Sequence, residues 1–386
     1  MLSWSARAAE ELKALRNVNR LRRSIAFDGD GPQGYVNGRQ VLSFASNDYL
    51  GLASHAQVRA AAREAIDRFG TGSRSARLIV GTRSLHLQME EVLANWKGAA
   101  AALVFPTGYA ANLGVLSTFG GADVTIFSDA LNHASIIDGC RLAKANVAIY
   151  RHADLEHLAT LMQRTAGKKI VVSETVFSMD GDRIDAAALA NLCARHAALL
   201  VLDEAHDVFD DAQFPSGDLG GDPASNLEVL RVGTLSKMLG TQGGFVAGPQ
   251  PLVDLLTNRA RTFIFTTGLP PADVAAALAA LNICMGDEGT RLRAHLRNLI
   301  DAFIPGHPSA ILPIIIGADS AALAAAAQLF EHGIYVPAIR PPTVPVGTAR
   351  LRVSLSAAHT QQMCDRLRAL LDSCNMRVAM AGKQCT

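Results

Sequence analysis

Residues 169–206, KIVVSETVFSMDGDRIDAAALANLCARHAALLVLDEAH, contain two short apolar runs on either side of a longer segment. The runs KIVVSET and ALLVLDE are typical of buried strands, and the segment 186–197 between them has the composition and length of a helix. Similar apolar runs occupy 100–105, 124–129, 147–152, 230–236 and 243–248. Apolar strands that alternate with helices form mostly parallel sheets covered on both faces. We therefore predict an α/β fold with a mostly parallel seven-stranded sheet, and any ligand at the carboxyl ends of its strands.

The character of the sequence changes after a helix-rich stretch at 271–303. A smaller α+β unit is predicted to follow, with its strands and helices at 310–316, 319–332, 334–339, 349–356 and 359–372. The first fifty residues are predicted to form an amphipathic helix and an arm. We thus predict three parts: a helix and arm at 1–50, a large cofactor-binding domain at 51–290, and a small carboxyl-terminal domain at 291–386.

The chain has 386 residues, of which 49% are hydrophobic, and its formal net charge is +1. This near-zero charge gives no reason to expect nucleic acid or an acidic membrane surface as a partner. The six cysteines are scattered without the paired spacing of a zinc site, which favours free thiols in a reducing compartment. No apolar stretch is long enough to cross a bilayer, and the charged amino terminus differs from a signal peptide. We expect a cytoplasmic protein without a bound metal.

Lys237 lies among small residues in GTLSKMLGTQGGF, just after an apolar run. A surface lysine needs no such surroundings, whereas a lysine that must reach a bound carbonyl compound does. Asp203 ends another apolar run, where a carboxylate is costly to bury unless a cation or hydrogen bonds compensate it. A salt bridge or a helix cap would explain this aspartate. A cationic pyridine nitrogen would explain it equally well.

Three further turns follow predicted strand ends. Gly108 in FPTGYAAN joins a strand to a helix, where backbone N–H groups and the helix dipole suit a phosphate. His133 in LNHAS and Ser178 in VFSMDGD follow two other strands, and each alone has an ordinary structural explanation. Together with Lys237 and Asp203, they supply the groups that pyridoxal 5′-phosphate (PLP) requires, which are a phosphate cradle, an amine for its aldehyde and a carboxylate for its ring nitrogen. We therefore predict PLP as the cofactor.

From about residue 20 to residue 372, the chain resembles the α-oxoamine synthases, a family of fold-type I PLP-dependent transferases. The motifs that carry the resemblance are SNDYLGL, FPTGYAANLG, LNHASIIDG, ETVFSMDGD, DEAH, GTLSKMLGTQGGF and IRPPTVPVGTARLRVSLSAAHT. The family implies a large sheet domain with a smaller α+β domain, PLP as cofactor and a homodimer. The stretch AIRPPTVP is similar to that of members that condense L-alanine with a pimeloyl thioester, either of coenzyme A or of a carrier protein. The resemblance therefore implies this decarboxylative condensation, a step of biotin biosynthesis.

The resemblance also implies roles for individual residues. Lys237 would bond to the cofactor aldehyde, then remove and return the α-proton of the substrate. Asp203 would pair with the pyridine nitrogen, His206 would hydrogen-bond the ring hydroxyl, and His133 would stack on the ring. Further cofactor contacts would come from Gly108, Tyr109, Ser178 and Thr234, and from Thr266 and Thr267 toward the phosphate of the neighbouring subunit. The implied substrate-binding residues are Arg22 and Thr343 for the acyl group, and Asn47, His133 and Arg352 for the amino acid.

Three alternatives remain open. A sibling synthase would use glycine or serine with another acyl-CoA. A catalytically silent partner subunit of the same fold is disfavoured by Lys237, which such subunits typically lack. An NAD-type doubly wound enzyme is disfavoured because no GxGxxG motif follows an early strand.

Two stretches depart from the family pattern. Asp207, Phe209 and Asp210 follow the DEAH motif in the segment 207–216, and Arg74 and Ser75 stand where small residues are common. Both stretches are expected near the mouth of the active site or the subunit interface. The departures leave the predicted cofactor residues intact.

Overall fold

A computed structural model describes residues 3–209 and 227–378. The atypical segment 207–216 therefore lies outside the described residues from position 210 onward. No helix in these two stretches is both long enough and apolar enough to span a membrane. The chain forms two compact units: unit 1 comprises Met1–Tyr49, Met179–Gly181 and His295–Thr386, and unit 2 comprises Leu50–Ser178 and Asp182–Ala294. The predicted division into an arm at 1–50, a cofactor-binding domain at 51–290 and a small domain at 291–386 stays a prediction.

In chain order, the strands of the described residues are β1 Asp28–Gly29, β2 Gln33–Val36, β3 Arg39–Ser43, β4 Ala101–Phe105, β5 Val124–Asp129, β6 Asn146–Tyr150, β7 Lys168–Glu174, β8 Leu199–Asp203, β9 Val229–Thr234, β10 Gly244–Gly248, β11 Ile311–Gly317, β12 Ile334–Tyr335, β13 Ala338–Ile339 and β14 Ala349–Ser354. The α-helices are α1 Trp4–Asn17, α2 Ala56–Phe69, α3 Ser84–Trp96, α4 Gly108–Phe119, α5 Ala134–Leu142, α6 Leu155–Gln163, α7 Ala186–Arg195, α8 Gln250–Arg259, α9 Arg261–Ile264, α10 Pro271–Met285, α11 Asp287–Phe303, α12 Asp319–Glu331 and α13 Gln361–Ser373. A 3₁₀ turn occupies Leu52–Ser54, and a π-helical turn occupies Arg77–Gly81.

Unit 2 is built on a seven-stranded sheet in the order β4-β10-β9-β8-β7-β5-β6. Strand β10 is antiparallel to β4 and β9, and the remaining strand pairs are parallel. Successive residues of a strand point to opposite faces, so Ile126 and Val172 join one buried cluster while Phe127 and Val171 join another. The predicted sheet is confirmed, and each strand lies within two residues of its predicted run.

The carboxyl ends of the parallel strands meet at one edge of this sheet. Because β4, β5, β7, β8 and β9 run in the same direction, the turns that follow them emerge on the same side. These turns carry five of the predicted cofactor residues, which are Gly108, His133, Ser178, His206 and Lys237. The sheet topology therefore collects residues that are up to 129 positions apart in the sequence.

Unit 1 contains two small sheets. Its structure differs from the predictions at two places. Residues predicted as part of an arm form the hairpin β2–β3, which extends the sheet β1-β2-β3-β12. Asn37 and Gly38 both have positive φ at the hairpin turn, the conformation that an Asn-Gly pair favours in a two-residue hairpin. The second sheet is antiparallel, in the order β11-β14-β13.

The prediction of one strand over 334–339 was wrong. The segment divides into β12, which pairs with β3, and β13, which pairs with β14 in the other sheet. Pro337 lies between them and has no N–H to continue a ladder, so the chain changes sheet at this point.

Arg74, one of the departures from the family pattern, has a φ of 68°. This left-handed conformation costs a side-chain-bearing residue free energy that glycine does not incur. The larger residue at this position therefore sits in a backbone geometry that favours glycine.

Gly244, the first residue of β10, allows a close approach between this strand and the start of α4. A Cβ atom there would lie 2.4 Å from both the backbone nitrogen of Gly108 and the carbonyl carbon of Thr107. We expect Gly244→Ala to lower the free energy of unfolding by about 1–3 kcal/mol, because backbone atoms must move to admit the methyl group. Urea unfolding measures the effect. Gly72→Ala is the control, since its Cβ would meet no atom within 4 Å, and equal stability of the two variants would contradict the expectation.

Candidate functional site

The first turn of α4 begins the site in unit 2. Thr107 caps this helix, its Oγ1 accepting a hydrogen bond from the Ala110 N–H at 3.0 Å. Gly108 is the first helical residue, and a Cβ there would lie 3.4 Å from the Cβ of Thr234. Backbone N–H groups at a helix start have no partner within the helix and attract anions. The turn is therefore suited to a phosphate, with Thr234 beside it.

Lys237 lies in the bend that follows β9, and its side chain is half-buried. The Lys237 carbonyl oxygen accepts from the Gly240 N–H at 2.9 Å, which closes a tight turn. Thr234 Oγ1 donates to the Gly243 carbonyl oxygen at 2.9 Å and lies 2.8 Å from Ser236 Oγ. Gly240 has a φ of 65°, and a Cβ there would lie 2.4 Å from the Ala53 nitrogen. The small residues predicted to surround Lys237 are thus required by close backbone packing.

Asp203 ends β8 with only 6% of its surface exposed. Its Oδ2 accepts from Asn112 Nδ2 at 2.7 Å, and its Oδ1 accepts from the Ala205 N–H at 3.0 Å. Hydrogen bonds to an ionised carboxylate favour the charged form. These two donors are neutral, so the site retains a buried negative charge that a cationic ring nitrogen could compensate.

Glu174 lies beside Asp203, in register with it on the neighbouring strand β7. It is 2% exposed, and its Oε1 has no hydrogen-bond partner among the described residues. Burial raises the pKa of the Glu174 carboxyl well above its ordinary value, and the charge of Asp203 raises it further, against the opposing charge of Lys237. The N–H groups of His133 and Ser178 also donate to this carboxyl group. Glu174 therefore keeps its proton to a higher pH than an exposed glutamate does, and it connects two turns of the site.

His133 is the N-cap of α5 and lies near Tyr109, with ring centroids 6.3 Å apart. Burial lowers the pKa of His133, and the charges of Asp203 and Lys237 act on it in opposite directions. The hydroxyl of Tyr109 donates to Asp138 on the surface. Of the other predicted cofactor residues, His206 is buried, Ser178 is half-buried, and Thr267 is exposed beside Thr266.

His152 cross-links the loops at the same edge of the sheet. Its Nδ1 lies 2.9 Å from Asp129 Oδ1, and its Nε2 lies 2.7 Å from Asp182 Oδ2. Burial alone favours the neutral ring, but hydrogen bonds to the two carboxylates and their charges raise the pKa of His152 to about 10. The ring is therefore cationic at neutral pH and holds the turns after β5 and β7 together.

Unit 1 holds the residues predicted to bind the amino acid. Arg352 on β14 is 6% exposed, and its Nη1 donates to Asn47 Oδ1 at 3.1 Å and to Ser354 Oγ at 2.7 Å. Its Nη2 donates to the hydroxyl of Tyr49 at 3.4 Å, and this hydroxyl donates to Asn47 Oδ1 at 3.2 Å. Burial raises the pKa of Tyr49. Asn47 and Arg352 are thus brought together, with the guanidinium held in place by neutral oxygens.

The predicted acyl-binding residues also meet within unit 1. Helix α1 ends at Asn17, and Arg22 lies beyond it in a segment without regular secondary structure. Its Nη2 donates to the carbonyl oxygens of Arg340 and Pro341 at 3.2 Å each, and to Thr343 Oγ1 at 3.3 Å. The amino-terminal segment is thereby attached to the loop that contains Thr343.

Several polar residues of these clusters were not singled out from the sequence. Glu174 and Asn112 stood within quoted motifs, but nothing in their spacing showed that both would face Asp203. Tyr49 likewise stood in SNDYLGL without an assigned role, and His152 stood outside every motif. An acidic or amide residue inside an apolar strand or helix was the available signal, because such groups are seldom buried without a partner.

Comparisons of the sequence and of the structure with known proteins agree that the chain belongs to the aminotransferase class I and II family. Residues 39–371 match the model of the aminotransferase class I and II family. The 8-amino-7-oxononanoate synthase of Anaeromyxobacter dehalogenans is 47% identical over 382 residues, covering 94% of this chain and 93% of its own. The serine palmitoyltransferase of S. paucimobilis with a bound PLP–myriocin aldimine superposes with a TM-score of 0.86 at 30% identity, covering 95% and 96% of the two chains. The 8-amino-7-oxononanoate synthase of Francisella tularensis superposes with a TM-score of 0.70 at 28% identity, covering 86% of this chain and 97% of that one.

The raised pKa of the Glu174 carboxyl has a measurable consequence for the free energy of unfolding. Because the folded protein raises the pKa of this carboxyl, its proton stabilises the folded state below the unfolded pKa, and the stabilisation is lost as pH rises toward the folded pKa. Glu174→Gln cannot lose this proton. We expect the variant to gain stability relative to the unmodified protein above about pH 4.5, by up to about 1.4 kcal/mol per pH unit.

Urea unfolding of the apoprotein across this pH range, at one protein concentration, measures the difference. Glu64→Gln, at an exposed position on α2, controls for the change of net charge. A stability difference between Glu174→Gln and the unmodified protein that is independent of pH would show that Glu174 is ionised in the folded state.

Proposed function

We propose, from the membership of this chain in the aminotransferase class I and II family and within it in the 8-amino-7-oxononanoate synthases, that it condenses L-alanine with a pimeloyl thioester. The products are 8-amino-7-oxononanoate, carbon dioxide and the free thiol. The observation that carries this proposal is that a buried Asp203 carboxylate and Lys237 both act on His133 at one edge of the sheet, where a helix start suited to an anion also lies.

The residues of unit 2 fit PLP. The buried charge of Asp203 suits a protonated pyridine nitrogen, and the first turn of α4 suits the phosphate. The unpartnered Oε1 of Glu174 indicates that the polar groups of this edge are not all satisfied by the described residues. When bound, PLP supplies an electron sink for the carbanion formed at the α-carbon of the amino acid. Lys237 would hold it covalently, His206 its hydroxyl, and Ser178 and Thr234 its phosphate side.

Lys237 Nζ has a second task, the movement of the α-proton. Removal of this proton lets the α-carbon of alanine attack the thioester carbonyl, which forms the new carbon–carbon bond and expels the thiol. The resulting β-keto acid loses carbon dioxide, and Lys237 returns a proton to the α-carbon. His133 would orient the reacting groups from the opposite side of the ring.

Two arginine side chains would each bind the carboxylate of a different substrate. Arg352, with Asn47, would bind the carboxylate of alanine, since the planar guanidinium can form two parallel charged hydrogen bonds with a carboxylate. Arg22 and Thr343 would meet the acyl substrate, whose distal end is a free carboxylate. The acyl carrier is coenzyme A or a carrier protein.

A sibling activity is the second candidate, because the backbone is more similar to serine palmitoyltransferase than to the Francisella synthase. Fold similarity does not select a substrate, however, since the same backbone supports different sites. The sequence is 47% identical to a synthase that is named for the oxononanoate product and 30% identical to the palmitoyltransferase. We therefore favour alanine and the pimeloyl group.

A substrate panel separates these candidates. Alanine, glycine and serine are each combined with pimeloyl-CoA, acetyl-CoA and palmitoyl-CoA, and thiol release is measured. We expect the highest kcat/KM for alanine with pimeloyl-CoA and no turnover in Lys237→Ala, because no other residue supplies the proton-transferring amine. Preferential use of serine with palmitoyl-CoA would establish the sibling activity, and turnover by Lys237→Ala would show that the lysine assignment is wrong.

We also propose that the protein works as a homodimer. The π-helical turn exposes Leu78, Ile79 and Val80, which are 51%, 73% and 63% exposed. Phe265, which is 68% exposed, precedes Thr267, and Thr267 pairs with Ala76 at the start of this turn. Apolar side chains concentrated in this way mark interaction surfaces. A second copy would cover them and would place Thr266 and Thr267 toward the cofactor phosphate of its neighbour.

We expect Ile79→Glu to shift the protein from dimer to monomer, because a buried carboxylate at the interface would lack a partner. Sedimentation velocity at micromolar concentration measures the change. Ile25→Glu, which alters another exposed isoleucine, is the control. A stable Ile79→Glu dimer would mean that this apolar surface is not the interface.

The assignment of Arg22 can be tested against its neighbour Arg23, which is also exposed. A charged hydrogen bond contributes about 1.5–3 kcal/mol, so Arg22→Ala should lower kcat/KM for pimeloyl-CoA by about ten- to a hundredfold. The KM for alanine should hardly change, and Arg23→Ala should leave both constants near their original values. A large loss for alanine with unchanged use of pimeloyl-CoA would reverse the roles of Arg22 and Arg352.

We propose a cytoplasmic location for the enzyme. The described cysteines (Cys140, Cys193, Cys284, Cys364 and Cys374) are free thiols, four of them buried. Free thiols persist in reducing compartments. The proposal involves neither nucleic acid nor a membrane as partner.

A further inference from the structure

A continuous hydrogen-bonded chain joins His133 to Asp203 through two residues that have no role so far. Asn112 on α4 and Ser135 on α5 are each 1% exposed. Asn112 Nδ2 lies 2.7 Å from Asp203 Oδ2 and 2.9 Å from Ser135 Oγ. Ser135 Oγ in turn lies 2.8 Å from His133 Nδ1. The chain therefore runs from the carboxylate at the end of β8 to the imidazole at the start of α5.

The direction of each hydrogen bond in this chain is determined. An ionised carboxylate can only accept, so the atom of Asn112 that faces Asp203 must be the amide nitrogen. This nitrogen uses its second N–H for Ser135 Oγ, and the serine hydroxyl keeps its own proton, which it can donate to His133 Nδ1. The backbone N–H of Ser135 also points to His133 Nδ1, at 3.2 Å, as the cap of α5. Two donors converge on Nδ1, so this atom carries no proton.

We propose that Asn112 and Ser135 are positioning residues that fix His133 as the neutral tautomer with its proton on Nε2. The ring then presents a hydrogen-bond donor, not a base, to the bound reactants. Nε2 already carries a proton, so it cannot accept the proton of the substrate. Proton removal is therefore left to Lys237. The tautomer is a property of the folded chain, whereas its use in the reaction rests on the proposed function.

The surroundings of the ring agree with a neutral imidazole. Burial, which is the largest influence, lowers the pKa of His133, and the charge of Lys237 lowers it as well. The charge of Asp203 opposes these effects, but Asn112 and the Ala205 N–H already neutralise part of that charge by hydrogen bonding. The hydrogen-bonded chain does not require a second proton on the ring, because Nδ1 accepts from both the hydroxyl and the backbone N–H of Ser135.

Nitrogen NMR of the apoprotein labelled with ¹⁵N-histidine tests the proposal directly. His133→Gln identifies the His133 signals by their loss. We expect a large shift difference between the two ring nitrogens of His133 near neutral pH, with Nδ1 in the range of an unprotonated nitrogen and Nε2 in the range of a protonated one. A protonated Nδ1 in the unmodified protein would overturn the proposal, whatever the enzyme catalyses.

Two variants test the contribution of each positioning residue. Ser135→Ala removes the hydroxyl donor and should bring the two nitrogen shifts of His133 closer together, as the tautomers mix. Asn112→Leu removes the group that directs the hydroxyl, and should produce the same change. Ser117→Ala, which alters a serine of α4 that bonds only to its own helix, is the matched control and should leave the shifts in place. Unchanged His133 shifts in Ser135→Ala would show that the serine does not set the tautomer.

Kinetics of the holoenzyme then separate positioning from folding. One neutral hydrogen bond contributes about 0.5–1.5 kcal/mol, so Ser135→Ala should lower kcat/KM for the thioester by about 2- to 12-fold. The pH profile should change as well, because the neutral ring of His133 loses a hydrogen bond to Nδ1 and is then easier to protonate. If the panel of substrates shows no turnover but the NMR shifts are as expected, the proposed reaction fails and the tautomer assignment stands. A shift change in Ser135→Ala without any kinetic change would refute the use of Nε2–H in the reaction.

Discussion

The negative charge of Asp203, buried at the end of β8, is the interaction on which the rest of unit 2 depends. A carboxylate in this position is tolerated only with donors aimed at it, and Asn112 and the Ala205 N–H provide them. A second full charge on Glu174, in register on the neighbouring strand, would raise the cost further, and burial together with the charge of Asp203 raises the pKa of this carboxyl. The same charge acts on His133 and on Glu174. Burial is the largest influence on both neighbours, and the charge of Asp203 raises the pKa of each, which adds to the effect of burial on Glu174 and opposes it on His133.

Close backbone packing is what allows long polar side chains to meet at this edge. Gly244 admits the start of α4, and Gly240 admits the turn near Ala53. Because these positions carry no side chains, β10 approaches the helix start and the lysine turn approaches Ala53, while Gly108 lies beside Thr234. Much of the glycine content around Lys237 therefore serves the shape of the scaffold as well as access to the lysine.

The sequence was sufficient for the sheet, because its strands are short apolar runs, most of them between helical segments, and strands such as β5 and β8 are buried on both faces. It was also sufficient to bring Asp203 and Lys237 into one hypothesis, since both follow parallel strands. The register of the strands was not visible in the sequence, and the raised pKa of Glu174 depends in part on the position of this residue opposite Asp203. The direction of the Asn112 amide likewise depends on helix packing that spacing does not reveal. In unit 1, the change of sheet at Pro337 was hidden because pairing partners, not local propensity, determine it.

Unit 1 is assembled from the two ends of the chain, and this arrangement has a consequence for biosynthesis. Strand β3 pairs with β12, and Arg352 bonds to Asn47 across 305 positions of sequence. A ribosome releases the first 49 residues long before residue 334 exists, whereas the whole seven-stranded sheet of unit 2 is made in between. Domains fold as units during synthesis. The hairpin β2–β3 must therefore wait with an unpaired edge while the sheet of unit 2 is completed, and Asn47 and Tyr49 meet Arg352 only after that sheet has been synthesised.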